Sequence, residues 1–386
     1  MTAGVGNTWY TDGSTQVLTA ALGPAGADLR AQYNGVWKRP GAAGAHTDYR
    51  LAFHRTGSWF TGLRRSVTKA DVAEVKLGFG ASVTGAKARI WVTPTDPGGF
   101  GTGVWEPADQ SLPLAATTYV SAAGVRWTWY AAQVDAEGEG RIAYTEGPVA
   151  YRPGSRHTLK FNTGVVGPDL DAGAGADQGA HRTGDYLDTR VQLFNDGAGH
   201  SGSSVVTDGF ARLESGGRVI AEGSATDWLS AEVPAGSAAY RLSMEASRAP
   251  EDTATSTKVA AVWTFTSARP SGEESVRLPL STVRLAPDLA LDGTAPAGST
   301  LKVPLLLGGA AGAAVGQVAE LAVRVSFDGG ATWKPLAVRT DAKGARSVSV
   351  KHPATAGAVS FQVDLKDKGG NTVRETITNA YLLAAR

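Results

Sequence analysis

The sequence predicts an all-β protein: two or three consecutive β-sandwich domains, jelly-roll or immunoglobulin-like, ending in an immunoglobulin- or fibronectin-like module. Three observations carry this. Short segments with period-two alternation of β-branched and aromatic residues recur along the chain, as half-buried strands require. Turn formers break them at short intervals, with 49 Gly and 18 Pro in 386 residues, which favours sandwiches over βαβ units. No amphipathic helical pattern runs beyond two turns.

The elements follow in chain order. "RLAFHRTG" (50–57), "ARIWVTP" (88–94) and "VRWTWYAA" (125–132) read as strands of a first domain, 1–166. "TKADVAEVKLG" (68–78) is the exception and is expected to hold a helical turn. "GPDLDAGAGADQGAHRTGD" (167–185) is rich in Gly and Asp and reads as a mobile loop or linker. "YLDTRVQLF" (186–194), "YRLSMEAS" (240–247) and "KVAAVWTFTS" (258–267) give strands of a second domain, 167–268. "SARPSGEES" (267–275) is a second break. "LAVRVSFD" (321–328) and "VSFQVDL" (359–365) belong to a third domain, 275–386, where Asp367, Gly370 and Asn371 form the turn of a closing hairpin. Pieces of this size can bury a core without disulfides.

Composition narrows the function. The formal net charge is +1 and the isoelectric point near 7.9, so no broad field attracts nucleic acid or an anionic membrane. No apolar run approaches the ~18 residues of a membrane span. The N-terminal residues show neither a basic head nor an apolar core of a signal peptide, so any export signal is expected outside this chain. Cysteine is absent, which removes disulfides, zinc thiolates and thiol catalysis.

"SFDGGATW" (326–333) has the Ser-x-Asp-x-Gly-x-Thr-Trp spacing of the Asp-box of sialidases and related β-propellers. Its mechanics are local. Ser326 ends a strand, Asp328 and Gly330 turn the chain, and Thr332 and Trp333 begin the return with the indole over the turn. A propeller needs several copies, and the motif occurs once. The residues are read as a structural hairpin.

A series of segments resembles the C-terminal region of large secreted bacterial subtilisin-like serine peptidases. It comprises "FNTGVVGPDL" (161–170), "HRTGDYLDTRVQLFNDGAGHSGSS" (181–204), "YRLSMEASR" (240–248), "VWTFTSA" (262–268) and "LPLSTVRLAPDLAL" (278–291). "VRVSFDGGATWKPLAV" (323–338) and "DKGGNTVRETITNAY" (367–381) complete it. The resemblance runs from about residue 140 to the end. It does not bring catalysis with it. A subtilisin-type triad needs Asp in D-[ST]-G, His in H-G-T-H and Ser in G-T-S-M-[AS], and these strings are absent. None of His46, His54, His157, His181, His200 and His352 stands in H-G-x-H. The resemblance therefore implies an extracellular, non-catalytic part of a serine endopeptidase, as a fragment or a separate product. Its implied partners are an upstream protease domain and extracellular protein or glycan.

Other candidates come from residue type. Asp169, Asp171 and Asp177 on the Gly-rich stretch are the candidates for calcium, which accepts six to eight oxygens in loose geometry; otherwise no cofactor is expected. Trp127 and Trp129 share one strand face. An open face makes them a glycan platform, and a carbohydrate-binding β-sandwich is the rival reading; a covered face makes them core. "HRTGSWFTGLRRSVTK" (54–69) interleaves His54, Arg55, Arg64, Arg65 and Lys69 with Trp59 and Phe60, and reads as a solvated loop. An independent β-rich hydrolase remains as a third class, but no G-x-S-x-G, phosphate loop or H-E-x-x-H occurs.

Overall fold

A computed structural model describes residues 4–11, 14–22, 29–40, 46–58, 66–105, 110–172, 179–314 and 316–385. Every regular element among them is a strand. The chain divides into two compact units. The first comprises Met1–Phe79, Gly85–Gly140 and Thr145–Phe161, and the second Gly80–Thr84, Arg141–Tyr144 and Asn162–Arg386.

Two sheets build the first unit. One runs Gly4–Thr11, Ser14–Leu22, Leu29–Pro40, His46–Thr56, Leu114–Ser121, Val72–Phe79, Arg156–Phe161. Its pairings are antiparallel except for His46–Thr56 with Leu114–Ser121 and Arg156–Phe161 with Val72–Phe79. The other sheet centres on Arg126–Val134, paired antiparallel with Lys87–Thr95. The sheets close on an interior that includes Val75, Leu77, Phe79, Ile90, Val92 and Phe161. Trp127 donates Nε1 to Ser121 O at 2.7 Å, and the Arg50 guanidinium lies 5.7 Å from the Trp129 ring, so the rings of one sheet pack on strands of the other.

The segment 68–78 corrects the expected helical turn. Asp71 caps a turn by accepting Thr68 N at 2.8 Å, and Val72–Phe79 is a strand. Val75, Leu77 and Phe79 point inward while Glu74 and Lys76 point out. Period two wins because these side chains have a covered face to enter.

The second unit is organised by a nine-stranded sheet. Its main path runs Arg218–Gly223, Asp208–Ser215, Ala238–Ser247, Lys258–Ser267, Thr372–Ala384, Gly357–Asp367, Val318–Ser326, Lys334–Leu336. Strands from both sides of the 267–275 stretch thus lie side by side, joined where Lys258 pairs Thr378 and Thr264 pairs Thr372. Thr372–Ala384 can serve two neighbourhoods because it bends. Its register against Gly357–Asp367 shifts between Val359 and Phe361, and Asn379 takes φ 54°. Asn379 is held there by N–H donation to Ser360 Oγ at 2.9 Å and Nδ2 donation to Thr257 Oγ1 at 3.1 Å. Beyond the bend the strand pairs Thr294–Pro296 in parallel.

Two four-stranded sheets complete the unit: Leu229–Glu232, Tyr186–Arg190, Gly179–Thr183, Val276–Arg277, and Ser281–Leu285, Thr300–Gly309, Arg346–Lys351, Arg339–Thr340. The latter faces the main sheet as the second layer of a sandwich. Trp263 Nε1 donates to Ser281 O at 2.7 Å, and Val283 N donates to Glu375 Oε1 at 2.9 Å. The closing hairpin forms as expected. Asp367 accepts Asn371 N at 2.9 Å and Asn371 Nδ2 at 2.8 Å, and Gly370 adopts φ 87°.

Candidate functional site

Side chains marked by the sequence divide into buried and self-paired groups. Trp127 is 1 % exposed and Trp129 0 %. Trp129 Nε1 donates to Tyr151 Oη at 3.1 Å. A glycan platform needs open ring faces, so these two are core; the opposite face, with Arg126 and Tyr130, is the one that reaches solvent. The sequence could show that the two rings share a face but not that a sheet covers it.

The stretch expected to be a solvated linker is folded over 167–172. Leu170 and Ala172 are buried, and Gly167 bridges to Asn195 through both backbone groups. Asp169 is buried against Arg284, with Nε 3.0 Å from Oδ2, and also accepts Asp171 N at 2.9 Å. Burial pushes its carboxyl up, only partly opposed by that amide and by Arg284. Asp171 accepts Arg277 Nη1 at 3.2 Å and Gly309 N at 2.9 Å. Both carboxylates thus address protein donors, and no three metal-ligating side chains converge among the described residues. Asp177 lies outside the described residues, as do Trp59, Phe60, Arg64 and Arg65. His54 is half-buried in its strand, while Arg55 and Lys69 are exposed.

The Ser326–Trp333 hairpin is held by its own side chains. Asp328 Oδ1 accepts Ser326 Oγ at 2.7 Å and Thr332 N at 2.9 Å, while Thr332 Oγ1 donates to Oδ2. Ser326 Oγ in turn accepts Gly330 N at 2.9 Å. The Ser326 and Thr332 hydroxyls hold the Asp328 carboxyl down to about 2. Gly330 has φ 95°, and a Cβ there would stand 3.3 Å from Trp333 Cζ2, so the indole rests on the turn. Trp333 is half-buried.

Asp196, in the "NDGAG" turn, is another capping carboxylate. It accepts the amides of Ala198, Gly199 and His200 at 3.0–3.1 Å through Oδ1, and His200 Nδ1 lies 2.8 Å from Oδ2. This consumes the carboxylate in fixing a loop.

A saddle of about 490 Å³ lies on the outer face of the nine-stranded sheet. Its residues come from five strands by register. Arg241 pairs Thr264, Thr264 pairs Thr372, Thr372 pairs Lys366, and Lys366 pairs Glu320. The next row holds Val262, Arg374, Asp364 and Ala322. Arg374 Nε donates to Asp364 Oδ1 at 2.5 Å, and Arg324 reaches Oδ2 of the same carboxylate and Gln362 Oε1 at 3.1 Å. Partial burial pushes Asp364 up, but the two guanidiniums outweigh it and hold the carboxyl below its usual range. Glu320 is the other lining carboxylate, 3.8 Å from Lys366. The charges are paired within the protein, so the saddle is a polar face and its groups are not poised for proton transfer or attack. The signal in sequence was the outward half of the alternation, "QVDLK" and "VRETIT", whose inward half makes the core.

No family model matches this chain, and no curated protein matches it. Among solved structures the chain is similar to a mutant of Salmonella alpha-2-macroglobulin, at 10 % identity and a TM-score of 0.21, covering 97 % of this chain. The chain spans 38 % of that protein's length, and at so low a score the likeness carries no argument.

Proposed function

We propose that this chain is a non-catalytic accessory region of a secreted subtilisin-like serine peptidase. Its role is to hold substrate, matrix or the protease domain itself. The observation that supports this is the placement of the resembling segments. From Asn162 onward they all fall in one compact unit, where they supply much of the paired strands Ala238–Ser247, Lys258–Ser267 and Thr372–Ala384. Adjacent strands of one compact unit that carries a broad polar face support reading the series as a module.

The test is to sequence the gene upstream of the Met1 codon and assay the purified chain on casein. An upstream frame carrying the three triad motifs, with no hydrolysis by the chain itself, is the expected result. A stop codon directly upstream, or hydrolysis insensitive to serine-directed inhibitors, overturns the proposal.

A further inference from the structure

The sheet Leu229–Glu232, Tyr186–Arg190, Gly179–Thr183, Val276–Arg277 has one face in the core and one in solvent. Leu187, Thr189, Leu229 and Ala231 point inward. The alternation then sends Tyr186, Asp188, Arg190, Ser230 and Glu232 outward. Two large aromatic rings stand on this outer face. Trp228 is 57 % exposed and Tyr186 51 %. The indole is held in place, since Trp228 Nε1 donates to Asp188 Oδ1 at 3.3 Å.

Register places the polar groups around them. Asp188 lies opposite Ser230 on one side and His181 on the other, and His181 lies opposite Arg277. Tyr186 and Arg190 flank Asp188 on the same strand. Leu229 pairs Thr189, so Trp228 follows on beside Arg190. Along the strand this is about four residues from Tyr186, roughly 13 Å at ~3.3 Å per residue. Beside Arg190 and Asp227 opens a pocket of about 200 Å³, floored by Leu193 and Phe194 and edged by Ser203 and Thr226.

We propose that this face binds an uncharged linear oligosaccharide. Tyr186 and Trp228 would stack on the apolar faces of two sugar rings, Asp188 would bond hydroxyls between them, Arg190 would do so at the Trp228 end, and the pocket would take one end of the chain. Three features select this ligand. The rings are separated by charged side chains, whereas the centre of a protein interface is depleted of charge. Asp188, Asp227 and Glu232 stand against Arg190 and Arg277, and Arg277 is already paired with Asp171, so the face has no net positive field for a phosphate or sulfate polymer. The ring fixed by Asp188 needs little ordering on binding, which suits a ligand with few strong contacts. Trp127 and Trp129 take no part. The proposal does not depend on the protease reading.

The test is calorimetric titration of the whole chain with cellohexaose, xylohexaose and chitohexaose, with heparin as a charged control. At least one neutral hexasaccharide is expected to bind with a dissociation constant of about 1 mM or tighter. Trp228→Ala and Tyr186→Ala should each weaken it about tenfold, and Trp228→Phe should retain most of it. Both variants should melt at the wild-type temperature, because the rings are exposed. Absence of binding to all three sugars overturns the proposal. So does binding that survives both alanine substitutions, or heparin binding tighter than any neutral sugar.

Discussion

Glu375→Gln should stabilise this protein at neutral pH and leave it unchanged in acid. Glu375 is fully buried in the strand Thr372–Ala384, between the main sheet and the Ser281–Leu285 strand. Its Oε1 accepts Val283 N at 2.9 Å, while Oε2 has no hydrogen-bond partner. Burial pushes its pKa well above the ordinary 4.5; the Val283 amide opposes this and the Asp169 carboxylate adds to it. Below the unfolded-state pKa both states carry the proton and the group adds no pH dependence. Above it the unfolded chain releases the proton and the native state keeps it, so stability falls as pH rises until the folded pKa is passed. The slope approaches about 1.4 kcal/mol per pH unit for one proton. Glutamine keeps the Oε1 acceptor, and its NH₂ is left as unpaired as the carboxyl O–H. Urea denaturation of both proteins at pH 4, 5, 6 and 7 should give equal stabilities at pH 4 and a gap that widens with pH. A gap independent of pH, or a variant less stable at pH 7, would refute the buried-acid argument.

Trp129→Ala should cost about 3–5 kcal/mol as a fully buried ring is lost, whereas Trp228→Ala should stay within about 0.5 kcal/mol; thermal denaturation of the pair distinguishes core from surface. Arg141 and Asp252 form a two-point ion pair at 2.8 and 2.9 Å, with side-chain exposures of 27 % and 5 %. Arg141→Ala strands the more buried charge and should cost about 3 kcal/mol, more than Asp252→Ala, by chemical denaturation. The Asp328 carboxyl, held near 2, contributes to its hairpin above the unfolded value of 3.8 and loses that contribution as pH falls through about 2. Amide exchange at Thr332 should therefore accelerate below pH 3, and be fast at every pH in Asp328→Ala.

Much of the fold could be read from residue pattern. Lys258–Ser267 alternates inward Val259, Ala261, Trp263 and Phe265 with outward Ala260, Val262 and Thr264, and its period was plain. Turn chemistry was equally local: Asp367 with Asn371, and Asp328 with Thr332, bond within four residues. The reading of 167–172 as linker failed because Gly and Asp are typical of solvated loops, while Asp169 is buried by a partner 115 residues away, Arg284. The outward face of Tyr186, Asp188 and Arg190 was visible as alternation, but Trp228 joins it only through strand pairing across about 40 residues.

By itself the sequence determined that the chain is all β, where its turns fall, and which side chains share a strand face, because each depends on neighbours a few residues apart. It also placed one hairpin completely, from Ser326 to Trp333. Which of those faces are covered depends on packing between the sheets. Trp127 and Trp129 became core when the opposite sheet closed on them, while Trp228 and Tyr186 remained on the surface. Period two assigns residues to two faces without saying which one meets water. That choice is made by packing between strands far apart in the chain, where burial of apolar area outweighs local preference.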